Sequence, residues 1–296
     1  MKIAYYPGCS LLSTSAEYAL SAQAVLEALD VELDEVQDWV CCGATPAHAT
    51  SHLLGVSLPA ITLAAAEMQG HSDLVTCCAA CYSRLKQASA ELQNDNALLK
   101  DVNEIIEEQY SGRLEVLHLL ELLTHRIGID VVRSRIQKPL QGLKVACYYG
   151  CLISRLPKPL RIDNVEYPML MDNLLEAAGA QVVPWPFKTE CCGAALTLAR
   201  QDAVVRLSGQ VVEMAREFDA DIIAVVCPLC QANLDMYQAN VESKIGKSLS
   251  TPVLFFTQLL GLAMGLPLEK LGLEKIIVDP LPVLAGKGLV EGDVYL

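Results

Sequence analysis

The chain has 296 residues, of which 52% are hydrophobic, and this is enough apolar material for one large domain or two of ordinary size. Its formal net charge of −13 argues against nucleic acid as a partner, because phosphate binding needs a basic surface. An acidic surface suits a protein that docks onto redox partners through complementary charge.

No segment of the sequence predicts export or membrane insertion. Pro7 and Gly8 interrupt the N-terminus before an apolar run develops, and the longest apolar stretch, residues 253–268, contains two glycines and Pro267. That stretch is expected to be core rather than a partner-facing surface. We therefore expect a cytoplasmic protein whose twelve cysteines bind metal or do redox chemistry instead of forming a disulfide framework.

In chain order, the first half of the sequence alternates strand and helix patterns. Residues 2–6 form a short apolar run that predicts a strand, and residues 15–29 carry apolar side chains at helical spacing. Ser13 or Ser15 is expected to cap that helix. A further strand is predicted at residues 73–78, where the run ends in cysteines.

The second half continues the same alternation. Residues 143–149 predict a strand, residues 171–178 a helix closed by Gly179, and residues 180–184 another strand. Residues 220–226 are apolar and rich in β-branched side chains, which is typical of a buried parallel strand, and they lead directly into Cys-Pro-Leu-Cys. The cysteines are therefore expected at strand ends and helix starts, where α/β folds usually place their sites.

The cysteines occur in the same order twice. Each half has one cysteine, a long gap, Cys-Cys-Gly, another long gap and Cys-x-x-Cys. Cys41 and Cys191 are 150 positions apart, and Cys78 and Cys227 are 149 apart. Such a near-constant offset indicates an internal duplication.

The predicted fold class is α/β, built as two pseudo-symmetric Rossmann-like halves. The connector Lys-Pro-Leu-Gln-Gly at residues 138–142 precedes a new strand and divides the chain into domains 1–140 and 141–296. Each domain then holds one five-cysteine site, and we expect both sites at the interface between the halves.

The cysteine pattern favours iron–sulfur clusters over zinc. Cys-x-x-Cys at a helix start places two thiolates near one centre, where free N–H groups and the helix dipole stabilise their charge. Vicinal cysteines can face one centre only from a loop, and the glycine after each pair supplies that freedom. Zinc takes four tetrahedral ligands, commonly as two short pairs, whereas five cysteines with long gaps suit a cluster of several irons.

The repeated motif resembles the CCG domain, and two such domains with nothing else resemble the B subunit of heterodisulfide reductase. The resemblance covers most of the chain and includes Tyr-Tyr-Pro-Gly-Cys at 5–9, Tyr-Tyr-Gly-Cys at 148–151 and Phe-Thr-Gln-Leu-Leu-Gly-Leu at 256–262. It implies a disulfide oxidoreductase with two noncubane [4Fe-4S] clusters, a substrate disulfide between them in the interdomain cleft, and one electron from each. In methanogens that substrate is the coenzyme M–coenzyme B mixed disulfide.

Position by position, the resemblance implies ten ligands: Cys9, Cys41, Cys42, Cys78, Cys81, Cys151, Cys191, Cys192, Cys227 and Cys230. Cys77 and Cys147 match no motif position. Cys147 is expected to be core, in a strand aligned with Tyr5. Cys77 is expected to be a buried thiol at a strand end, although it could compete with Cys78 as a ligand.

Electrons are expected to reach the chain from another protein. The sequence has no ferredoxin-type cysteine run and no Gly-x-Gly-x-x-Gly phosphate loop, so we predict neither flavin nor nicotinamide in it. The resemblance implies two partners in the same complex, a ferredoxin-like C subunit and a flavin-containing A subunit.

Two further groups of residues are candidates for substrate chemistry. His48 and His52 would share one face of a helix and could donate a proton to a product thiolate, or they could simply form a polar face. Arg155, Lys158 and Arg161 follow a cysteine in an acidic chain and would suit an anionic substrate such as a sulfonate or phosphate. A solvated basic loop or a partner-docking patch is the alternative for these three.

Two other functions are compatible with the pattern. One is a CCG-domain electron-transfer subunit of another oxidoreductase, of the lactate-utilisation, glycolate or glycerol-3-phosphate dehydrogenase type. Ten complete ligands in two intact motifs favour the reductase, because its mechanism needs both clusters. The other is a zinc-stabilised assembly module, which metal analysis would distinguish.

Overall fold

The computed structural model describes residues 1–44, 46–246 and 248–291, and in these residues eight strands form two four-stranded parallel sheets. The N-terminal sheet has the order β2-β1-β3-β4 and consists of β1 (Lys2–Tyr6), β2 (Glu32–Glu35), β3 (Asp73–Thr76) and β4 (Glu115–His118). The C-terminal sheet has the order β6-β5-β7-β8 and consists of β5 (Lys144–Tyr148), β6 (Gln181–Val182), β7 (Ile222–Val225) and β8 (Val253–Phe255). The matching orders confirm the predicted α/β fold of two Rossmann-like halves.

Helices connect the strands of each sheet and cover its faces. Those of the N-terminal half are α1 (Gly8–Leu11), α2 (Ala16–Ala28), α3 (Pro46–Thr50), α4 (His52–Met68), α5 (Ala79–Asn94), α6 (Asn96–Ile106), α7 (Leu119–Glu121), a π-helical stretch (Leu122–Gly128) and α8 (Ile129–Ser134). Those of the C-terminal half are α9 (Gly150–Ser154), α10 (Leu170–Ala177), α11 (Gln201–Glu217), α12 (Pro228–Met236), α13 (Gln238–Ile245), α14 (Phe256–Ala263) and α15 (Leu281–Gly286), with 3₁₀ turns at Lys158–Leu160, Ala194–Leu196, Leu268–Lys270 and Leu273–Lys275.

The central strands follow the apolar runs of the sequence closely. Strand β7 is buried along its whole length, because a parallel strand covered by helices on both faces has no exposed side. One of the two serines predicted to cap α2 lies at the cap position, without the expected side-chain hydrogen bond. Ser15 occupies the N-cap position, but its hydroxyl makes no capping hydrogen bond, and Ser13 donates its hydroxyl proton to the Cys9 carbonyl at 2.8 Å.

The two halves pack directly on each other. The rings of Tyr18 on α2 and Phe255 at the end of β8 stack with centroids 4.0 Å apart, and the buried hydroxyls of Ser21 and Thr257 lie 2.7 Å apart. Strand β8 and helix α14 are buried throughout, which confirms the stretch that begins at residue 253 as core. In the described part of the chain, no helix has both the length and the apolar character needed to cross a bilayer.

Candidate metal centre

The cysteines lie at the carboxyl ends of neighbouring parallel strands in each sheet. Cys9 is in the first turn of α1, directly after β1, and Cys78 follows β3. Cys151 in α9 and Cys227 after β7 occupy the matching places in the other sheet. Adjacent central strands whose connections diverge leave a crevice at this edge, and this crevice is where α/β sheets bind ligands.

The first cysteine of each Cys-x-x-Cys is the N-cap residue of a helix. Cys78 caps α5 and Cys227 caps α12, and Pro228 takes the first helical position as predicted. The unpaired N–H groups of a helix start stabilise negative charge on a thiolate. This confirms the predicted setting of both Cys-x-x-Cys motifs.

The second cysteine of each Cys-x-x-Cys meets the Cys-Cys-Gly loop of its own half. The Sγ atoms of Cys42 and Cys81 are 3.4 Å apart, and those of Cys192 and Cys230 are 3.5 Å apart. The hydrogen bond with Cys81 lowers the pKa of the Cys42 thiol to about 7, and the bond with Cys230 lowers the pKa of Cys192. The two halves therefore share this contact between Cys-Cys-Gly and Cys-x-x-Cys.

Glycines allow this close approach of the sulfur atoms. Gly8 and Gly150 have φ of +67° and +68°, and a Cβ at either position would lie 3.0 Å or 2.9 Å from the Sγ of Cys81 or Cys230. Gly43 in the first Cys-Cys-Gly also has a positive φ, and a Cβ there would lie 2.7 Å from the Ala47 side chain. A side chain at Gly8 or Gly150 would displace the neighbouring cysteine sulfur, and a side chain at Gly43 would displace the Cys-Cys-Gly loop.

The two sites meet at the contact between the halves. The thiols of Cys78 and Cys227, one from each half, hydrogen-bond to each other. Hydrogen bonds with Cys230 and Cys78 hold the pKa of the buried Cys227 thiol well below its ordinary value. The first cysteines of the two Cys-x-x-Cys motifs therefore bring the N-terminal and C-terminal thiol sets side by side.

Each site is open on one side only. Cys9 and Cys41 are exposed and Cys151 and Cys191 are half-buried, whereas the other cysteines are buried. The open side of each site consists of the lone cysteine and the first cysteine of Cys-Cys-Gly.

The donor set fits clusters better than single ions. Each half presents five thiols from three separate segments of the chain, and thiolates are the ligands that iron–sulfur clusters take. Among the residues that the structure describes, no group of three or more His, Cys, Asp or Glu is placed to hold one metal ion.

The two remaining cysteines are buried at the strands. Cys147 lies within β5 and is 0% exposed, which confirms it as core. Cys77 follows β3, and burial raises the pKa of its thiol to about 12 while the Tyr5 hydroxyl hydrogen-bonds to it.

The predicted histidine pair does not share a helix. His48 is exposed on α3 and His52 begins α4, where it pairs with Glu91 at 2.8 Å. The expectation of one shared face is wrong because Ser51 breaks the helix with extended backbone, and its hydroxyl accepts the Leu54 N–H to start α4.

Two of the three basic residues after Cys151 bind the backbone. Arg155 donates to the Thr189 carbonyl at 3.1 Å, and Arg161 donates to the Leu156 carbonyl at 2.8 Å. Lys158 is exposed at the start of a 3₁₀ turn. Arg155 thus joins the helix that carries Cys151 to the loop that leads to Cys191.

Buried side chains that the sequence analysis did not select support the cysteine loops. His118 Nδ1 accepts the Leu120 N–H, so Nε2 carries the proton and donates to the Cys77 carbonyl at 2.8 Å. Burial lowers the pKa of His118 to about 4. Tyr18, from the N-terminal half, donates its hydroxyl to the carbonyl of Val226 in the C-terminal half, and Val226 likewise precedes the first cysteine of a Cys-x-x-Cys. The sequence signal in both cases is only a single polar residue within an apolar segment.

Two basic residues near the sites were also missed. Arg84 is half-buried on α5, three residues after Cys81, and its charge acts on the Cys42 thiol. Lys188 is buried beside the loop that precedes Cys191 and pairs with Asp172. The sequence signal that could have identified Arg84 is its position three residues after Cys81, the last cysteine of the first motif.

Comparison with protein families agrees with this architecture. The model of the CCG cysteine-rich domain matches residues 3–86 and again residues 145–235. The two matches cover more than half of the chain and contain the Cys-Cys-Gly and Cys-x-x-Cys motifs of both halves. The chain therefore belongs to the CCG cysteine-rich domain family.

Individual proteins resemble the chain over nearly its whole length. The 8-methylmenaquinol:fumarate reductase membrane anchor subunit of Wolinella succinogenes is 34% identical, over 94% of this chain and 97% of its own. The B subunit of the ferredoxin/F420H2-dependent CoB–CoM heterodisulfide reductase of Methanosarcina acetivorans is 31% identical, over 96% of each chain.

A solved structure shares the fold. A hypothetical protein from Helicobacter pylori superposes with a TM-score of 0.76 at 17% identity, over 94% of this chain. The chain spans 52% of the length of that protein. The likeness shows the fold alone.

Proposed function

We propose that the chain is the disulfide-reducing subunit of a heterodisulfide reductase-type complex. The observation that carries the proposal is the contact between the thiols of Cys78 and Cys227, the first cysteine of Cys-x-x-Cys in each half. Reduction of one disulfide to two thiols consumes two electrons and two protons, so two adjacent one-electron sites match the electron stoichiometry. The similarity to the B subunit of the Methanosarcina acetivorans enzyme supports the same assignment.

In this proposal the ten motif cysteines hold two noncubane [4Fe-4S] clusters, one in each domain, with the domain boundary near residue 140. When bound, the two clusters supply the two electrons that the disulfide takes up. Cys9, Cys41, Cys151 and Cys191 form the open sides through which a small disulfide approaches. The substrate is the coenzyme M–coenzyme B disulfide or a related disulfide.

The remaining candidates have unequal support. His48 is the better proton donor to a product thiolate, because among the described residues its exposed side chain has no ion pair, while His52 is paired with Glu91. Of the basic residues, Lys158 has the most freedom to bind an anionic group, since Arg155 and Arg161 hold backbone carbonyls.

The electron donor in this proposal is a ferredoxin-like C subunit, which receives electrons from a flavin-containing A subunit. The acidic chain would dock to this donor through complementary charge. None of the twelve cysteines forms a disulfide, which supports a reducing, cytoplasmic compartment.

Metal analysis and a disulfide assay test the proposal together. The purified protein is expected to contain about eight iron and eight acid-labile sulfide per chain, as two [4Fe-4S] clusters require. Cys42→Ser and Cys192→Ser should each lose the iron of one site, whereas the core variant Cys147→Ser should retain both. Reduced methyl viologen should then be oxidised when the coenzyme M–coenzyme B disulfide is added. Zinc without iron or sulfide would contradict the proposal.

A second candidate function is a cluster-bearing subunit of a quinol:fumarate reductase-type complex. The similarity to the Wolinella succinogenes protein, at 34% identity, favours it. Both candidates require the same two sites, so metal analysis does not separate them. Oxidation of reduced viologen by a panel of disulfides would support the reductase. Electron transfer from a menaquinol analogue to a co-purifying flavoprotein would support the second candidate.

A further inference from the structure

The two thiol sites differ in charge at one matched position. Arg84 and Asn233 each lie three residues after the last cysteine of their Cys-x-x-Cys, on α5 and α12 respectively. The duplication has thus left a cation in one half and a neutral amide in the other.

The two residues also have different surroundings. Asn233 is buried, donates to the Cys192 carbonyl at 3.1 Å and accepts the Thr197 hydroxyl at 3.2 Å. Arg84 is half-buried, and within the described part of the chain its guanidinium has neither a hydrogen bond nor an ion pair. Its charge acts instead on the Cys42 thiol.

The charge of Arg155 acts on the Cys151 thiol of the C-terminal site, but this cation is more exposed than Arg84. Arg155 is exposed and donates to the Thr189 carbonyl, so water and salt screen its charge. Lys188 is buried, but Asp172 neutralises it. Arg84, near the cysteines, is therefore a cation that is partly shielded from water. Among the described residues, no protein group offsets its charge.

We propose that Arg84 gives the N-terminal site a higher reduction potential than the C-terminal site. The inference rests on the proposed function, because it requires a cluster at each site. Each added electron makes a thiolate-bound cluster more negative, and a fixed cation in a region of low dielectric stabilises that reduced state. The first electron from a one-electron donor protein therefore rests at the N-terminal site, and the second enters the C-terminal site.

A redox titration with dithionite, followed by electron paramagnetic resonance, tests this ordering on the cluster-loaded protein. The wild type is expected to be reduced in two steps. In Arg84→Gln the higher step should move towards the lower one, by on the order of tenfold in the reduction constant, or about 59 mV for one electron. Arg84→Lys should retain two separated steps. The charge-matched control Arg113→Gln removes an exposed cation that lies just before β4, at the opposite edge of the sheet, and should change neither step.

The reciprocal change provides a second test if Arg84→Gln binds less iron. Asn233→Arg should raise the lower step, whereas Asn233→Gln, which alters the same hydrogen bonds without adding charge, should not. A single step in the wild type, or unchanged steps in both Arg84→Gln and Asn233→Arg, would overturn the inference and leave the proposed function intact. Absence of iron and sulfide from the wild type would remove both.

Discussion

Lys188 forms an ion pair with Asp172 in which the two side chains are 0% and 1% exposed. The ammonium also lies 4.0 Å from the ring centroid of Tyr167. The Lys188 carbonyl accepts the N–H groups of Tyr149 and Gly150, immediately before Cys151. One buried lysine thus joins the loop before Cys191 to the helix start that carries Cys151.

Breaking this pair is expected to be costly. Lys188→Met leaves the Asp172 carboxylate buried without its counter-ion, and the free energy of unfolding should fall by about 3–5 kcal/mol. The double variant Lys188→Met/Asp172→Asn should recover much of that loss, because no unpaired charge remains buried. Urea denaturation measures both. Arg200→Gln, which breaks an exposed pair with Asp202, is the control and should change stability by about 1 kcal/mol or less.

Substituting the glycines beside the sulfur atoms should affect one site at a time. In Gly8→Ala the new Cβ would lie 3.0 Å from the Cys81 Sγ, and in Gly150→Ala 2.9 Å from the Cys230 Sγ. Each variant is expected to lose the iron of its own site only. Gly142→Ala has a similar positive φ of +76° in open space, so it should show only the backbone strain of about 1–2 kcal/mol and retain its iron. Full iron content in Gly8→Ala would show that the N-terminal site does not need the close approach of Gly8 to the Cys81 Sγ.

The buried hydroxyl pair between the halves gives a test of their contact. Ser21→Ala leaves the Thr257 hydroxyl unsatisfied in the core, and the free energy of unfolding should fall by about 1–3 kcal/mol. Ser21→Ala/Thr257→Val removes both polar groups with little change of shape and should be closer to the wild type than Ser21→Ala is. Equal loss in the single and double variants would mean that Ser21→Ala does not leave the Thr257 hydroxyl unsatisfied.

Glu17 should make stability depend on pH. Burial raises the pKa of this carboxyl above its ordinary value, so the folded state binds its proton more tightly than the unfolded state. Its stabilising effect is fully present below the unfolded pKa, about 4.3, and is lost as the pH rises through the folded pKa. Melting temperatures from pH 4 to pH 7 should therefore fall in the wild type relative to Glu17→Gln. The exposed Glu108→Gln serves as the control, and parallel profiles for the wild type and Glu17→Gln would refute the assignment.

Much of the architecture was predictable because its signals are local. The apolar runs at residues 2–6 and 220–226 became central parallel strands, and the Cys-x-x-Cys motifs became helix starts, because backbone preferences act over a few residues. The shared helix of His48 and His52 was predicted wrongly, since spacing alone did not reveal that Ser51 ends one helix and caps the next.

The sequence by itself determined the duplication, the order of the ten motif cysteines and the alternation of strands and helices. Only the tertiary structure brought Cys78 to Cys227, paired Lys188 with Asp172 and left Arg84 without a counter-ion in the described residues. Each of these relationships depends on the distance or the exposure of groups in different elements of the fold. No periodicity or motif spacing encodes such a distance, because it is fixed by tertiary packing, between the halves for Cys78 and Cys227 and within the C-terminal half for Lys188 and Asp172.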